Sequence, residues 1–476
     1  MFDLLKNERL KLYKKVSTWV LLGIVVGLTV LGTLLTAVLS SLDIASFGTQ
    51  LTVEEYYTMK LQEISGYSEE NGWTQEEIAQ ETAYYRYLLE HEIDPADWRV
   101  DAVSDMLYAD TVTAQQQLRG IVENNDWRAY LKMKMDAAEG ESDKEKALAQ
   151  EMLQCQLDMD IQPVSTRFNE YFEYYGGKST IDSWKNDLLT SAYNKRLMLL
   201  RGTNNMDNLL TARERTKMER EIAVAMERLR TDTRPVDADS FPGLLDSALS
   251  GTDMLMIAVL VTAASLIAGE FNSGTIKLLL ITPHERRKVY WAKAIVTLEM
   301  LLVTAGALLV LLTLVCGLTS LFRDAAAMQV FTMFGQVVRM PYLLYLLGKY
   351  LILLLPVVAY GAFALMISAV TRKTATAIIL SVVLLYGGSF VTGILSILSS
   401  LLGHTVPGAK FLLFAHSDLS IYFPMTLLED MGMGDMSSLA YADSSMTLGF
   451  SVIVLLVYTV CFLWIGRDSF CRKDVK

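Results

Sequence analysis

Six runs of apolar residues punctuate the chain, and each is long enough to cross a lipid bilayer. The hydrocarbon layer of a membrane is about 30 Å thick, which requires about 20 helical residues. We therefore expect an all-α membrane protein with six transmembrane helices, the first of them an uncleaved anchor. The runs lie near residues 17–39, 251–269, 294–317, 343–370, 375–398 and 446–465.

A long polar stretch, residues 40–250, separates the first apolar run from the second. It predicts an inserted, mainly helical domain. Thr74 with Glu77 and Ser142 with Glu145 have the spacing of capping boxes, in which a helix-start hydroxyl and a later carboxylate exchange hydrogen bonds with the backbone. Tyrosines recur in this stretch, for example in "EEYY" and "AYYRYLL", either as a ligand surface or as packing residues.

Charge is distributed unevenly between this polar stretch and the rest of the chain. Residues 42–250 contain 22 Lys and Arg against 39 Asp and Glu, a net charge of −17, whereas the remainder carries +6. The acidity of the inserted domain argues against nucleic acid as a partner.

The short segments between apolar runs indicate the orientation of the chain. Cytoplasmic loops are enriched in Lys and Arg. The N-terminal segment, residues 270–293, the turn at 371–374 and the C-terminal tail hold sixteen basic residues together, against three (Arg323, Arg339 and Lys410) in the opposite short loops. We therefore expect both termini and the tail 466–476 in the cytoplasm, and residues 40–250 outside the cell.

The first sixteen residues predict a helix lying on the membrane surface. In "MFDLLKNERLKLYKKV", Phe2, Leu5, Leu12 and Val16 lie roughly on one side and the lysines elsewhere. Such a helix would be anchored by its lysines to anionic membrane lipid.

The sequence carries no set of residues that points to catalysis or to a bound cofactor. His91, His284, His404 and His416 have no metal-ligand spacing, and no nucleophile-elbow signature is present. Glu299 is the one acid well inside a predicted span. Acids inside a membrane are costly, so Glu299 either pairs with a neighbouring helix or takes part in conduction or coupling.

Two spans carry glycines at spacings that allow close helix contacts. Gly23 and Gly27 lie four residues apart in the first span, and Gly387, Gly388 and Gly393 lie in the fifth. Such glycines remove side-chain bulk from a helix face, so that another backbone can approach. The partner could be another span of this chain or a second protomer.

Residues 270–293, between the second and third spans, form the most distinctive short segment. Asn272-Ser273-Gly274 allows a reversal, "TIKLLLI" can form a short apolar helix, and Pro283 ends it. A rigid element joined to spans at both ends can transmit force from a soluble partner. The simpler alternative is a basic cytoplasmic loop without such a role.

This segment resembles the loop after the second span in type-2 ATP-binding-cassette (ABC) exporter permeases. The resemblance rests on Glu270-Phe271, Gly274-Thr275, Leu278-Leu279, Pro283, Arg286 and Lys293. The basic N-terminal helix, the six spans, and the long loop 399–445 before the last span also agree. The inserted domain lies outside the resemblance.

The resemblance implies a bacterial plasma-membrane permease that has no ATPase activity of its own. In that family the loop docks on a cytoplasmic ABC ATPase, two copies of which bind ATP and Mg²⁺. Two permease copies, as a homodimer or a heterodimer, meet through the first and fifth spans. The expected cargo is amphipathic or lipid-like, for example an antimicrobial peptide. The residues expected to couple to the ATPase are Glu270, Phe271, Gly274, Thr275, Lys277, Leu278, Pro283, Arg286 and Arg287.

A second hypothesis is a membrane-anchored sensing or immunity module. In that case the outer domain would bind an extracellular peptide or protein without transport. The two hypotheses differ in whether an ATPase is required.

The predicted orientation is tested by labelling single cysteines in a cysteine-free background. A membrane-impermeant maleimide should label Gln150→Cys on intact cells, and Leu280→Cys only after permeabilisation. The opposite labelling pattern would show that the topology is the reverse of the predicted one.

Overall fold

The structure is a computed structural model and confirms an all-α membrane protein. Among the residues that the structure describes, six helices are long and apolar enough to cross a membrane. The residues described are 2–41, 51–67, 72–109, 111–137, 140, 142–175, 179–204, 209–210, 212–250, 253–275, 285–333, 335–402, 406, 408–423 and 445–472.

Over the described residues, the secondary structure consists of helices and one β-hairpin. The helices are α1 (Phe2–Tyr13), α2 (Val16–Ser41), α3 (Val53–Ile64), α4 (Gln75–Glu90), α5 (Arg99–Leu107), α6 (Val112–Glu123), α7 (Trp127–Asp136), α8 (Asp143–Asp158), α9 (Asn169–Tyr174), α10 (Trp184–Arg201), α11 (Ala212–Arg230), α12 (Phe241–Ser250), α13 (Asp253–Asn272), α14 (Arg286–Ser320), α15 (Tyr342–Thr371), α16 (Thr374–Leu402) and α17 (Leu448–Arg472). The hairpin strands are β1 (Met328–Met333) and β2 (Gln336–Pro341), and three short 3₁₀ turns lie at Ala409–Phe411, Leu413–His416 and Ser420–Tyr422.

The chain forms two compact units. The membrane unit comprises Met1–Ser41, Val236–Ala327 and Met340–Lys476, and the inserted unit comprises Leu42–Pro235 and Met328–Arg339. The predicted domain 40–250 therefore extends too far, because α12 buries Phe241, Leu244, Leu245 and Leu249 within the membrane unit. The hairpin 328–341 was not expected from the sequence, since its strands are only six residues each and alternate weakly.

Helix α15 lies at the centre of the membrane unit. It packs against α13, α16 and α17, and most of its length is buried. The first span α2 and the fifth span α16 are more exposed, with large apolar side chains such as Trp19, Ile24, Phe390 and Ile397 on their surfaces. These surfaces are apolar because a membrane span meets lipid or another apolar helix rather than water.

The glycines predicted to mediate close helix contacts divide into two groups. A Cβ added at Gly388 would overlap the Phe414 ring, so this glycine makes room for a side chain of the same chain. In the part of the chain that the structure describes, Gly23, Gly27, Gly387 and Gly393 have no atom within 4 Å of an added Cβ. Those four are free to face lipid or a second protomer.

The turns at 409–423 pack on the start of the last span through a buried histidine. His416 is fully buried, with Nδ1 2.9 Å from Ser451 Oγ and Nε2 2.8 Å from the carbonyl oxygen of Lys410. A carbonyl only accepts, so Nε2 donates to it and Nδ1 accepts from the Ser451 hydroxyl. Burial lowers the pKa of His416, which fits this neutral, structural role.

A buried ion pair joins α12 to the start of α15. Lys349 Nζ lies 2.5 Å from Asp246 Oδ1, and the Tyr342 hydroxyl donates to Asp246 Oδ2 over 3.2 Å. Both charged side chains are almost completely buried. Buried charges of this kind are tolerated only because each satisfies the other.

The described part of the inserted unit contains two apolar cores. The larger, aromatic core is formed by α3 to α7 with α9 and includes Tyr56, Tyr57, Tyr84, Trp98 and Phe168. The smaller core contains Ile161, Leu189 and Leu229, the last of them from α11. Tyr56, Tyr57 and Tyr84 are at most 1% exposed, which shows that these recurrent tyrosines are packing residues.

Local capping agrees with the sequence patterns. Thr74 and Glu77 form a complete capping box at the start of α4, and Thr52 and Glu55 form another at α3. Ser142 accepts from the Glu145 backbone, but the Glu145 carboxylate binds Arg201 instead of closing the box.

The buried pair in the membrane unit predicts an asymmetry between charged residues. Replacing Lys349 by Met should destabilise the protein by about 3–5 kcal/mol, because Asp246 is left buried without its partner. Arg323→Met is the control, since the Arg323–Asp239 pair is half exposed and worth at most about 1 kcal/mol. Denaturant unfolding in detergent measures the free energy of unfolding of both variants. Equal losses of stability would contradict a buried Asp246–Lys349 pair.

Candidate coupling site at the ends of the 270–293 segment

The first and last residues of the 270–293 segment contact each other directly. Lys293 Nζ lies 2.9 Å from Glu270 Oε1, so an ion pair bridges the end of α13 and the beginning of α14. Lys293 is only 1% exposed. The segment is therefore a closed loop with its two ends joined.

The N-terminal helix α1 fastens onto this junction. Glu8 Oε2 lies 2.6 Å from Lys293 Nζ, and Glu8 is also 1% exposed. Among the residues of α1 whose burial is described, Leu4, Glu8 and Leu12 are buried, spaced four apart so that they share one helix face. The buried face of α1 thus has the ion-paired Glu8 between two leucines. Leu12 belongs to the predicted apolar side, whereas Leu5 is only partly buried and Val16 is exposed.

Lys11 completes a cluster of two acids and two bases. Its Nζ lies 2.9 Å from Glu8 Oε1 and 3.0 Å from Glu270 Oε1. We call Glu8, Lys11, Glu270 and Lys293 the charged cluster. The charges balance, which is the condition under which buried ionic groups persist.

The ionisation of Glu8 follows from its neighbours. Burial alone would raise the pKa of its carboxyl group, but the Lys293 and Lys11 ammonium groups outweigh burial and lower it. Lys11 shows the complementary effect: burial alone would lower its pKa, but the Glu8 and Glu270 carboxylates raise it. Both groups therefore remain charged near neutral pH.

A second contact ties α1 to α14. Arg9 forms a two-pronged ion pair with Glu299, with Nε to Oε1 at 2.7 Å and Nη2 to Oε2 at 2.8 Å. The structure thus places Glu299 in a pair with the N-terminal helix, one of the two alternatives for this acid.

Other contacts attach the segment's ends to two further spans. The Arg372 guanidinium, at the end of α15, lies 4.7 Å from the centre of the Phe271 ring. Arg286 Nη1 lies 3.5 Å from the Cys471 carbonyl oxygen, and the Tyr290 ring lies 6.1 Å from that of Phe470 in α17.

The turn after α13 is built from the residues that the sequence singled out. Gly274 has a φ of 72°, a conformation that strains most other residues. The hydroxyl oxygens of Ser273 and Thr275 lie 2.9 Å apart, and both are close to the Glu270 carbonyl oxygen. Arg287 is exposed on α14, and Lys277, Leu278 and Pro283 lie outside the described residues.

Residue Ser368 of α15 inserts into the hydrogen-bond ladder of α13 just before Glu270. Its hydroxyl donates to the Ala264 carbonyl over 2.6 Å and accepts from the Ala268 amide over 2.8 Å. These two backbone groups are four residues apart, the pair that bonds directly in a regular helix. Sites where a side chain enters this ladder are sites of helix bending.

Sequence reasoning found Glu270, Lys293 and Glu299 one by one but missed their partners. Glu8 was the available signal, as an acid set among the basic residues Lys6, Arg9 and Lys11. Ser368 had no sequence signal, because a serine in a span is common.

The cluster predicts different effects for two lysines that contact the same two carboxylates. Lys293→Met should cost about 3–5 kcal/mol, since it leaves buried acids unpaired. Lys11→Met should cost at most about 1 kcal/mol, because the Lys11 side chain is 53% exposed. Denaturant unfolding in detergent measures the free energy of unfolding of both variants. Equal destabilisation would show that the burial of Lys293 does not determine the loss of stability.

Comparison with known proteins places similarity in the C-terminal half of the chain. Residues 246–476 match a family model described as "Protein of unknown function (DUF2705)". That range contains Glu270, Lys293 and Glu299 but neither α1 nor most of the inserted unit.

Two Bacillus subtilis (strain 168) proteins are similar over about half of the chain. "Uncharacterized membrane protein YdbK" is 29% identical over 242 residues, which cover 50% of this chain and 85% of that protein. "Uncharacterized protein YhcI" is 29% identical over 224 residues, which cover 45% of this chain and 63% of that protein. Together with the six apolar helices, these similarities identify a multi-pass membrane protein.

Proposed function

We propose that this chain is the permease subunit of an ABC exporter in a bacterial plasma membrane. A separate ATPase, present in two copies, would bind ATP and Mg²⁺ and supply the energy. The observation that carries the proposal is the junction of Glu270 with Lys293, because it makes the 270–293 segment a closed element attached to the spans.

The proposed mechanism is mechanical. A push on the segment would reach α13 and α14 through their joined ends, and would reach α1 through Glu8. The Phe271–Arg372 and Arg286–Cys471 contacts would carry it to α15 and α17. Packed helices move between discrete arrangements, so a small displacement at one end can switch the whole bundle.

The surface on which the ATPase would dock includes the start of α14. Glu285, Arg287 and Lys288 are exposed there, in contrast to the buried Lys293. Charged residues at a docking surface steer and orient a partner, whereas buried ones hold the element together.

A second permease copy fits the exposed faces of the first and fifth spans. Gly23 and Gly27 on α2, and Gly387 and Gly393 on α16, leave open surface where another helix can approach closely.

The amphipathic or lipid-like cargo remains part of the proposal. The rival hypothesis of a sensing or immunity module shares the inserted unit but requires no ATPase.

A substitution in the turn at Gly274 tests the proposed coupling role. In the complex co-purified with its ATPase, Gly274→Pro should lower ATP turnover at least several-fold while assembly is retained. Proline fixes φ near −65° and cannot adopt the 72° found here. Arg286→Glu should also lower ATP turnover.

The matched control is Gly335→Pro, which strains a glycine of φ 81° in the hairpin of the inserted unit. It should leave ATP turnover near that of the parent. The coupling role would be ruled out by unchanged turnover in Gly274→Pro and Arg286→Glu. Failure to recover any ATPase with the chain would favour the sensing module.

A further inference from the structure

The membrane unit contains a groove between its first span and the short helix α12. One wall is a face of α2 that includes Thr29, Thr33 and Thr36, and the other includes Leu244 and Ser247 of α12. The groove has a volume of about 210 Å³. Sites that enclose a whole drug-sized ligand begin at about 300 Å³, so this groove has room for one part of a molecule only.

The groove has a closed floor and an open edge. Thr33 and Leu244 are only 6% and 4% exposed, so the two helices close the floor of the groove. Gly32 and Met254 are exposed at its edge, and a Cβ added at Gly32 would meet no atom of the described residues within 4 Å. A molecule can therefore enter from the lipid side while both helices keep their positions.

The length of α2 gives the depth of the groove in the membrane. Val16 is the first residue of α2, and Thr36 lies about 30 Å further along the helix, a distance equal to the thickness of the hydrocarbon layer. Thr29 lies about 10 Å closer to Val16. The groove therefore lies at the surface of the hydrocarbon layer that is remote from α1, where lipid headgroups meet their acyl chains.

The threonines of α2 provide hydrogen-bond acceptors beside the groove. Thr29, Thr33 and Thr36 each donate to the carbonyl four residues earlier in α2, over 2.9, 2.9 and 3.0 Å. A hydroxyl group has one donor and two acceptor sites, so these bonds use the donors and leave acceptor sites on each oxygen. Acyl chains have no group that can donate to them, whereas a headgroup with a hydroxyl has one.

The described lining of the groove carries no charge. Apart from the threonines and Ser247, the lining residues are glycine, leucine, alanine and methionine. Asp246, the neighbour of Ser247 in sequence, is buried and already paired with Lys349. A phosphate or ammonium group in the groove would lack a counter-ion in an apolar environment, which is costly. The groove therefore favours an uncharged headgroup that donates hydrogen bonds.

We propose that this groove binds the headgroup of a neutral lipid that carries a free hydroxyl, such as a diacylglycerol. The lipid hydroxyl would donate to the oxygen of Thr33, the threonine on the floor of the groove. The acyl chains would remain in the bilayer, against the exposed apolar side chains of α2. The lipid would enter by lateral diffusion, because the groove lies at the depth that the lipid glycerol already occupies.

The inference requires only that α2 spans a membrane, and it holds whether or not the chain is a transporter. Its test therefore uses the full chain in detergent, without ATP or an ATPase. The probe is dioleoylglycerol. Native mass spectrometry counts the bound lipid molecules during a titration and gives an apparent dissociation constant. We expect one saturable site on each chain.

Two lipids with the same acyl chains test what the groove recognises. The methyl ether of dioleoylglycerol lacks the hydroxyl donor and should bind about fivefold more weakly, the value of one hydrogen bond. Dioleoylphosphatidylcholine has a charged headgroup without hydrogen-bond donors and should not compete with dioleoylglycerol. Equal binding of the methyl ether, competition by the phosphatidylcholine, or no saturable binding of dioleoylglycerol would overturn the proposal.

Protein variants locate the binding in the groove. Gly32→Leu fills the groove and should abolish saturable binding of dioleoylglycerol. Gly306→Leu is the control, because Gly306 of α14 also has open space around an added Cβ but does not line the groove. Binding that survives Gly32→Leu, or that is lost equally in Gly306→Leu, would contradict the assignment. If Gly32→Leu lowered the fraction of dimer in the same spectra and left lipid binding unchanged, a second copy would be the occupant and the proposal would fail.

A pair of threonine variants tests the hydrogen bond itself. Thr33→Val keeps the side-chain volume and removes the acceptor, so it should weaken dioleoylglycerol binding about fivefold and leave the binding of the methyl ether unchanged. Thr313→Val is the matched control, since Thr313 also donates to the carbonyl four residues earlier, over 2.7 Å, but lies in α14. A full preference for dioleoylglycerol over its methyl ether in Thr33→Val would rule out Thr33 as the acceptor.

Discussion

The ion pair between Glu270 and Lys293 is the constraint on which the candidate coupling site in the membrane unit depends. It joins the two ends of a 24-residue segment, and Glu8 adds the N-terminal helix to the same junction. Because Lys293 and Glu8 are buried, neither can lose its partner without leaving a charge in a low-dielectric environment. The junction is therefore either complete or strongly destabilised.

A second buried pair, Asp246 with Lys349, holds the opposite end of the same bundle. Lys349 and Arg372 mark the two ends of α15 and are separated by about 35 Å along the helix. Near the Arg372 end, the Ser368 hydroxyl hydrogen-bonds to the Ala264 carbonyl and the Ala268 amide of α13. A side chain that bonds to the backbone of a neighbouring helix marks a place where that helix can bend.

Apolar patterning was enough to predict the six spans, because span length is imposed by the bilayer. Helix caps such as Thr74 with Glu77 were also predictable, since they involve neighbours in sequence. The ion pairs were not, because Glu8 and Lys293 are 285 residues apart and nothing in either local sequence names the other. The hairpin was not predicted for a similar reason. Its strands are short, and β1 packs against α11, a helix about 100 residues earlier in the chain.

The central claim is that α1 and the start of α14 form one rigid body through Lys293. Spin labels at the exposed positions Lys6 and Lys288, with pulsed electron paramagnetic resonance on the full chain, measure this most directly. This junction predicts a narrow distance distribution in the parent and a broader one after Lys293→Met, in which only the Arg9–Glu299 contact still ties α1 to α14. A parent distribution as broad as that of the variant would contradict it.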